Sequence, residues 1–395
     1  MPQGIRDRAA VAGVGCTPFG ERWDDNAPNL LADACFEAFD DAGIQPGDVD
    51  AIWVGSLYPF TGLSGGIAVD ALKLFGKPAT HVENFCASGL DAFRNACYAV
   101  AAGICDVALA CGVEKILDQG SAGLPTDILG AHPVMGSVSA PAVFALAATR
   151  AMEAWGWTRE DLAAVAVKNH DNGSDHPKAH FRRQVSVDQV LGAPCIAYPL
   201  GRLDACGVSD GAAAVVVTRP EIARDLAHKD DFCWVKSVQL SVHTGWPVYK
   251  SDFDYLGFPA TRQAARQAYE EAGLTDHRDQ IGLAEVHDCF TITELLNIGD
   301  LDLCDQADAA AFVREGLANV DGETPVNASG GLKSFGHPIG ATGCRMIYEV
   351  TRQLQERADG RQVKDASFGL AHNLGGQGSA VAVAILGAND TGPTV

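Results

Sequence analysis

Apolar and polar positions along the chain follow two alternating patterns, one with helical spacing and one of short continuous runs. From Ala32 to Ile44, ADACFEAFDDAGI sets Ala34, Ala38 and Phe39 on one face, and the helix this predicts stops at Gly43. The apolar run DAIWVG from Asp50 then predicts a buried strand. HVENF, 81–85, predicts extended chain, and the spacing from Leu90 through Ala101 predicts a helix. Ala96 to Val113 is the most apolar long segment, but Asp106 and two glycines divide it into a helix end and a strand rather than a membrane span. Helical stretches between β-branched runs such as VALACGV and AAAVVVT predict parallel sheets covered on both faces, the α/β class.

The pattern repeats. Ala34, Ala38, Asp40, Ala42 and Gly43 align with Ala264, Ala268, Glu270, Ala272 and Gly273, and the strand IGLAEV from Ile281 follows the second copy. Asn84-x-Cys86-Ala87-Ser88-Gly89 has a counterpart in Asn327-Ala328-Ser329-Gly330, and SDGAAAVVVT from Ser209 is echoed by GGQGSAVAVAIL from Gly375. Several matches in one order indicate two duplicated α/β halves, roughly 1–225 and 231–395, joined across the charged stretch Arg219 to Asp231. A length of 395 residues suits two such units. From 116 to about 194 the first half carries a stretch with no partner in the second, rich in Gly, Pro and His, which reads as an inserted loop domain over a site.

Composition narrows the function. With 47% hydrophobic and 20% charged residues the chain is globular. Fifty Asp and Glu against 29 Lys and Arg give a net charge of −21, which excludes nucleic-acid binding through bulk electrostatics. None of the 12 cysteines forms Cys-x-x-Cys, so no zinc ribbon or dithiol motif is present, and most are expected to be buried thiols in a reducing cytosol. The start, MPQGIRDRAAVAG, lacks the apolar core of a signal peptide, and a cytoplasmic, membrane-free protein is expected.

Four loops carry candidate chemistry. Cys86 sits where extended chain turns into a helix, where backbone N–H groups and the helix dipole would favour a thiolate; a buried structural thiol is the alternative. His337, in Gly336-His337-Pro338-Ile339-Gly340, is held in a rigid Gly/Pro loop that suits a general base. His287 and Cys289, in His287-Asp288-Cys289-Phe290, stand at the C-terminal end of a buried strand, where α/β sheets place ligands; no third and fourth metal ligand can be named beside them. His372-Asn373-Leu374-Gly375-Gly376 allows close backbone approach, with N–H groups near Leu374 and Gly375 for an oxyanion. Gly13-x-Gly15 lacks the third glycine of a dinucleotide fingerprint, and His176-x-x-x-His180 lacks the glutamate of a zinc-protease helix.

Taken together these motifs resemble the thiolase superfamily along nearly the whole chain: Cys86-Ala87-Ser88 is similar to its nucleophile motif and Gly336-His337-Pro338 to its GHP motif. HDCF with HNLGGQG resembles the sterol-carrier-protein-type and archaeal-type thiolases, with His372 standing where better-known thiolases have a second cysteine. The resemblance implies the thiolase fold, a five-layer αβαβα sandwich of two halves. It implies that Cys86 forms an acyl-enzyme, His337 takes the thiol proton, Cys289 moves the α-carbon proton and His287 helps stabilise an enolate oxygen. His372 would line the site, and Met135 would lie beside the substrate. The substrates implied are CoA thioesters with no cofactor or metal, in a homodimer or homotetramer, with a small OB-fold protein as a candidate partner. CoA is polyanionic, so a local basic patch is needed, and Lys178, Arg182 and Arg183 are the candidates. A thiolase-like aldolase and an acetyltransferase with a non-CoA acceptor are the alternative reactions; retention of Cys86, Cys289 and His337 favours the thiolase.

Overall fold

Asn26 starts helix α1 (Ala27–Ala42) by accepting the Asn29 amide, and Gly43 ends it with φ 72°. In the second half α5 (Pro259–Ala272) ends the same way on Gly273, φ 71°. The duplication read from the sequence is thus present in the backbone of the computed structural model, which describes residues 4–57, 65–119, 139–244 and 252–393.

Nine strands form one mixed sheet: β1 (Ala10–Cys16), β2 (Ala51–Gly55), β3 (Ala79–Val82), β4 (Val107–Glu114), β5 (Gly211–Thr218), β6 (Cys233–Val242), β7 (Ile281–Val286), β8 (Phe368–Gly375) and β9 (Ala380–Gly387). Their order is β3-β2-β4-β5-β1-β6-β9-β8-β7, so the two halves read as mirror lists about the β1–β6 junction. That junction is short, Ala10 opposite Trp234 and Val11 opposite Cys233. The partner of β3 in the second half is reduced to a single bridge, Val326 beside Ala284.

Helices α2 (Ser88–Ala101) and α8 (Thr342–Leu354) lie between the two half-sheets. Each packs on its own half and reaches across: α2 touches β4 and β2 but also β9, and α8 touches β8 but also β5 and β1. With α1 outside β1 and β5, and α5 outside β6 and β9, the chain makes five layers. The Gly13-x-Gly15 decoy belongs to this packing, because a Cβ on Gly15 would stand 2.1 Å from the Ala34 carbonyl of α1.

The unpaired stretch of the first half is more regular than its composition predicts. It contains α3 (Ala140–Trp155) and α4 (Arg159–Ser174), the latter started by a Thr158/Asp161 capping box. Some of the Gly, Pro and His that mark this region lie inside the helices: Pro141 in the first turn of α3, and His170 and Gly173 in the last turns of α4. Both helices pack on α6 (Thr291–Asp300), the helix that follows the HDCF segment.

Candidate active site

The turn after β3 brings Cys86 into the interior. Phe85 takes a left-handed conformation, φ 50°, and the Ser88 hydroxyl accepts the Asn84 amide at 2.9 Å, which closes the turn onto α2. The end of β8 lies against this turn so closely that a Cβ on Gly375 would be 2.2 Å from the Asn84 carbonyl. Cys86 is buried, and burial pushes its thiol up to about 12, with Cys206 and Glu114 adding to the rise and the Gly376 and Cys86 amides opposing it. The expected thiolate is therefore not the resting state. Desolvation outweighs the pull of the backbone N–H groups, and the proton stays on sulfur until a base takes it.

Two histidines face that sulfur with opposite tautomers. Thr342 Oγ1 has one hydrogen and gives it to Pro338 O at 2.9 Å, so it accepts from His337 Nδ1–H at 2.7 Å. His337 Nε2 is left as a bare, buried acceptor without a partner. His287 is the reverse: Asn373 Nδ2 donates to its Nδ1 at 3.2 Å, so its Nε2 carries the hydrogen, likewise buried and unpartnered. The rings are 5.1 Å apart and nearly perpendicular, and the Cys86 sulfur and a ring nitrogen from each histidine all lie within 4.8 Å of one another. Burial, then Arg345, holds His337 down to about 3, and burial, then the neighbouring histidines, lowers His287 well below its usual value. Both rings are neutral. The site thus offers one proton acceptor and one hydrogen-bond donor a few ångströms from a neutral thiol.

Cys289 enters the same cavity from the loop after β7 (Ile281–Val286). Its thiol contacts Thr293 Oγ1 at 3.7 Å and is raised well above the usual range, by burial first and then by Cys206 and Cys86. Between the two motif residues, Asp288 clasps the loop to α7 (Gly331–Phe335): it accepts Leu332 N at 2.6 Å, Lys333 N at 3.1 Å and Asn169 Nδ2 at 2.7 Å. Because α7 leads directly into Gly336-His337, this carboxylate ties the loop of His287 and Cys289 to the loop of His337. A cavity of about 50 Å³ lies here, lined among others by Leu57, Phe85, Phe144, Ile339, Cys86, Cys289 and His287.

Other expected site residues are placed differently. His372 does not line the cavity; it accepts His287 N at 3.3 Å on Nδ1 and reaches Thr261 Oγ1 at 3.2 Å on Nε2, so it stands behind His287 with both nitrogens used. Leu374 and Gly375 pair with Val381 and Ala380 in the β8–β9 ladder, and the amide at the Cys86 sulfur is Gly376's, one residue further on. Lys178 is not a free cation: its ammonium is bound by the Glu37 carboxylate, with Oε2 at 2.6 Å, and lies over the Tyr348 ring. Arg182 and Arg183 are exposed, and Met135 lies outside the described residues. His176 and His180 part company as well, His176 on Glu349 and His180 on Ser209. Asn373, Asp288 and Phe144 were given no role from the sequence; Asn373 and Asp288 stood inside quoted motifs, and Gly376 was among the glycines of its loop, whereas nothing local marks Phe144. Among the described residues, Cys86, His287 and His337 are also the one set of three donors close enough for a cation, of the kinds zinc takes.

Comparison with known proteins shows the family. Residues 9–221 match the thiolase N-terminal domain and residues 242–388 the thiolase C-terminal domain-like family. The chain is 39% identical to the acetyl-CoA acetyltransferase of Methanothermobacter thermautotrophicus, covering 96% of this chain and 99% of that one. It is 32% identical to human sterol carrier protein 2, over 95% of this chain and 71% of the other. A solved Ltp2-ChsH2(DUF35) aldolase superposes with a TM-score of 0.85 at 27% identity, covering 98% of this chain and 99% of that one. The chain belongs to the thiolase family of acyltransferases, on the sterol-carrier and acetyl-CoA acetyltransferase side that its HDCF and HNLGGQG motifs indicated. Among the described residues no helix is long and apolar enough to cross a membrane.

Proposed function

We propose that the protein exchanges acyl groups between CoA thioesters, cleaving or forming a 3-oxoacyl-CoA through an acyl-enzyme on Cys86. The observation that carries this is the pair of opposite tautomers around one neutral thiol, His337 Nε2 bare and His287 Nε2 protonated. In the cleavage direction the Cys86 sulfur attacks the 3-oxo carbon while His337 Nε2 takes its proton. Amides of Cys86 and Gly376 face the oxyanion that forms. The C2–C3 bond then breaks; His287 Nε2–H stabilises the enolate oxygen of the leaving acetyl-CoA, and the Cys289 thiol protonates its α-carbon. Free CoA passes its thiol proton to the Cys289 thiolate and attacks the acyl-Cys86 thioester; Cys86 leaves, regains its proton from His337, and acyl-CoA is released. Asn373, Thr342 and Asp288 hold these groups without touching substrate. A free thiol is needed for attack, so the Cys86, His287 and His337 trio is assigned to chemistry rather than to a metal.

The likeness to an aldolase that carries a DUF35 partner keeps a second reading in view, carbon–carbon cleavage without an acyl-enzyme, with a small partner protein. The two separate on one experiment: acetoacetyl-CoA and CoA should give two acetyl-CoA with an acetyl group trapped on Cys86. Aldol cleavage of a 3-hydroxyacyl-CoA by both wild type and Cys86→Ala would replace the thiolase reading. The CoA phosphates are assigned to the exposed Arg182 and Arg183, whose joint replacement should raise KM for CoA and leave kcat near wild type.

A further inference from the structure

Attack at the 3-oxo carbon is indifferent to the length of the acyl chain beyond it, so chain length has to be set by the walls around Cys86. We infer that the acyl group carried on Cys86 is limited to about two carbons, and that Phe144 is the side chain that sets the limit; the inference rests on the acyl-transfer reading above. The space beside the sulfur is about 50 Å³. An apolar protein cavity of about 150 Å³ holds a benzene ring, so a third of that beside the sulfur matches an acetyl group far better than a hexanoyl chain.

Phe144 makes the limit rigid. It projects from α3 (Ala140–Trp155), whose first residue also lines the cavity, and it is itself buried. Its ring lies 4.9 Å from Phe290 and 6.4 Å from Phe258, centroid to centroid. Phe290 immediately follows Cys289. Phe258 is in turn set against the loop after β8, where a Cβ on Gly378 would come within 2.3 Å of its ring. The aromatic wall is therefore braced by the loop of Cys289 on one side and by the loop of Gly376 on the other. Interiors packed at this density do not yield a side chain's volume without cost, so a longer acyl group meets a wall and not a hinge.

The test measures kcat/KM for thiolysis of 3-oxoacyl-CoAs of four, six and eight carbons by wild type, Phe144→Leu and Phe144→Ala. A parallel arm measures acylation of Cys86 by p-nitrophenyl acetate and p-nitrophenyl hexanoate by peptide mass, which reads pocket depth without CoA chemistry. Wild type should favour the four-carbon substrate by about 10-fold or more per two added carbons, the range a misfit methylene commands in an apolar pocket. Phe144→Ala should flatten that preference in both arms, and Phe144→Leu, nearer in volume, should flatten it in part. Equal rates for four and eight carbons in wild type, or an unchanged preference in both variants, would overturn the inference. Wild type inert to every 3-oxoacyl-CoA while the ester arm keeps its steep length dependence would overturn thiolysis and uphold the size limit.

Discussion

The same short sequence, Ala-Ser-Gly beyond an edge strand, occurs twice in this molecule and does two different jobs. In the first half, Phe85 at φ 50° leads through Cys86 into Ala87-Ser88-Gly89; in the second, Asn327 at φ 58° leads into Ala328-Ser329-Gly330. Cys86 faces the cavity with no structural bond demanded of its side chain beyond backbone amides. Asn327 is wholly committed: its Oδ1 accepts Val286 N at 2.8 Å and its Nδ2 donates to Glu294 Oε2 at 2.6 Å. Ser329 likewise bonds Glu285, which is paired with buried Arg345. One copy holds the nucleophile and the other holds the strand that delivers His287 and Cys289. Duplication lets one copy of a motif be freed for chemistry while the other becomes its brace.

The comparison predicts a double dissociation. Cys86→Ala should lower thiolysis by at least about 10³-fold, the scale on which a covalent nucleophile is lost, with little change in melting temperature. Asn327→Ala should do the converse first: a buried amide and a buried carboxylate lose their partner, costing about 2–4 kcal/mol on denaturant unfolding. If Cys86→Ala unfolded as easily as Asn327→Ala, the division of labour would be wrong. Next in size is Thr342→Val, which removes the acceptor for His337 Nδ1–H and lets the proton settle on the working nitrogen. It should cut kcat by about 10²-fold with KM nearly unchanged, as loss of a tautomer-fixing partner does; an unaltered kcat would show that Thr342 does not select the tautomer.

A smaller effect concerns acid. His337 and His372 are held down to about 3 and His170 to about 4 by burial, against an ordinary value of 6.5 in the unfolded chain. The unfolded chain therefore binds protons that the folded one refuses, so stability present above about pH 6.5 falls as pH drops toward those lowered values. Thermal unfolding at about pH 7.5 and pH 5 should show this loss, and His372→Gln should remove part of the slope. Equal melting temperatures at the two pH values would mean the rings are charged when folded.

Much of this was legible in the sequence because it is local. The paired helices ending on Gly43 and Gly273, the strands after them, and the motifs around Cys86, His287, Cys289 and His337 are runs of a few residues with their own period or turn chemistry. What was missed depends on chain segments far apart. The neutral state of Cys86 follows from burial between two half-sheets, which no local dipole argument reveals. Gly376 replaces Leu374 and Gly375 at the sulfur because the β8–β9 pairing consumes the earlier residues. Lys178 reads as a free cation until the fold brings Glu37 to it from 141 residues away. The helices of the inserted stretch were hidden by the Gly, Pro and His at and beyond their ends. Phe144 carries no motif at all, and only its stacking on Phe290 gives it a place in the site.

The central claim is that a neutral Cys86 becomes acylated with His337 as its base. The most direct measurement is peptide mass mapping of all 12 cysteines after acid quench of protein mixed with acetoacetyl-CoA and no free CoA. The account predicts one acetyl group, on Cys86, formed in wild type and in Cys289→Ala and strongly slowed in His337→Ala. Acetyl-CoA released with no adduct, or an adduct on Cys289 or Cys206 instead, would contradict it.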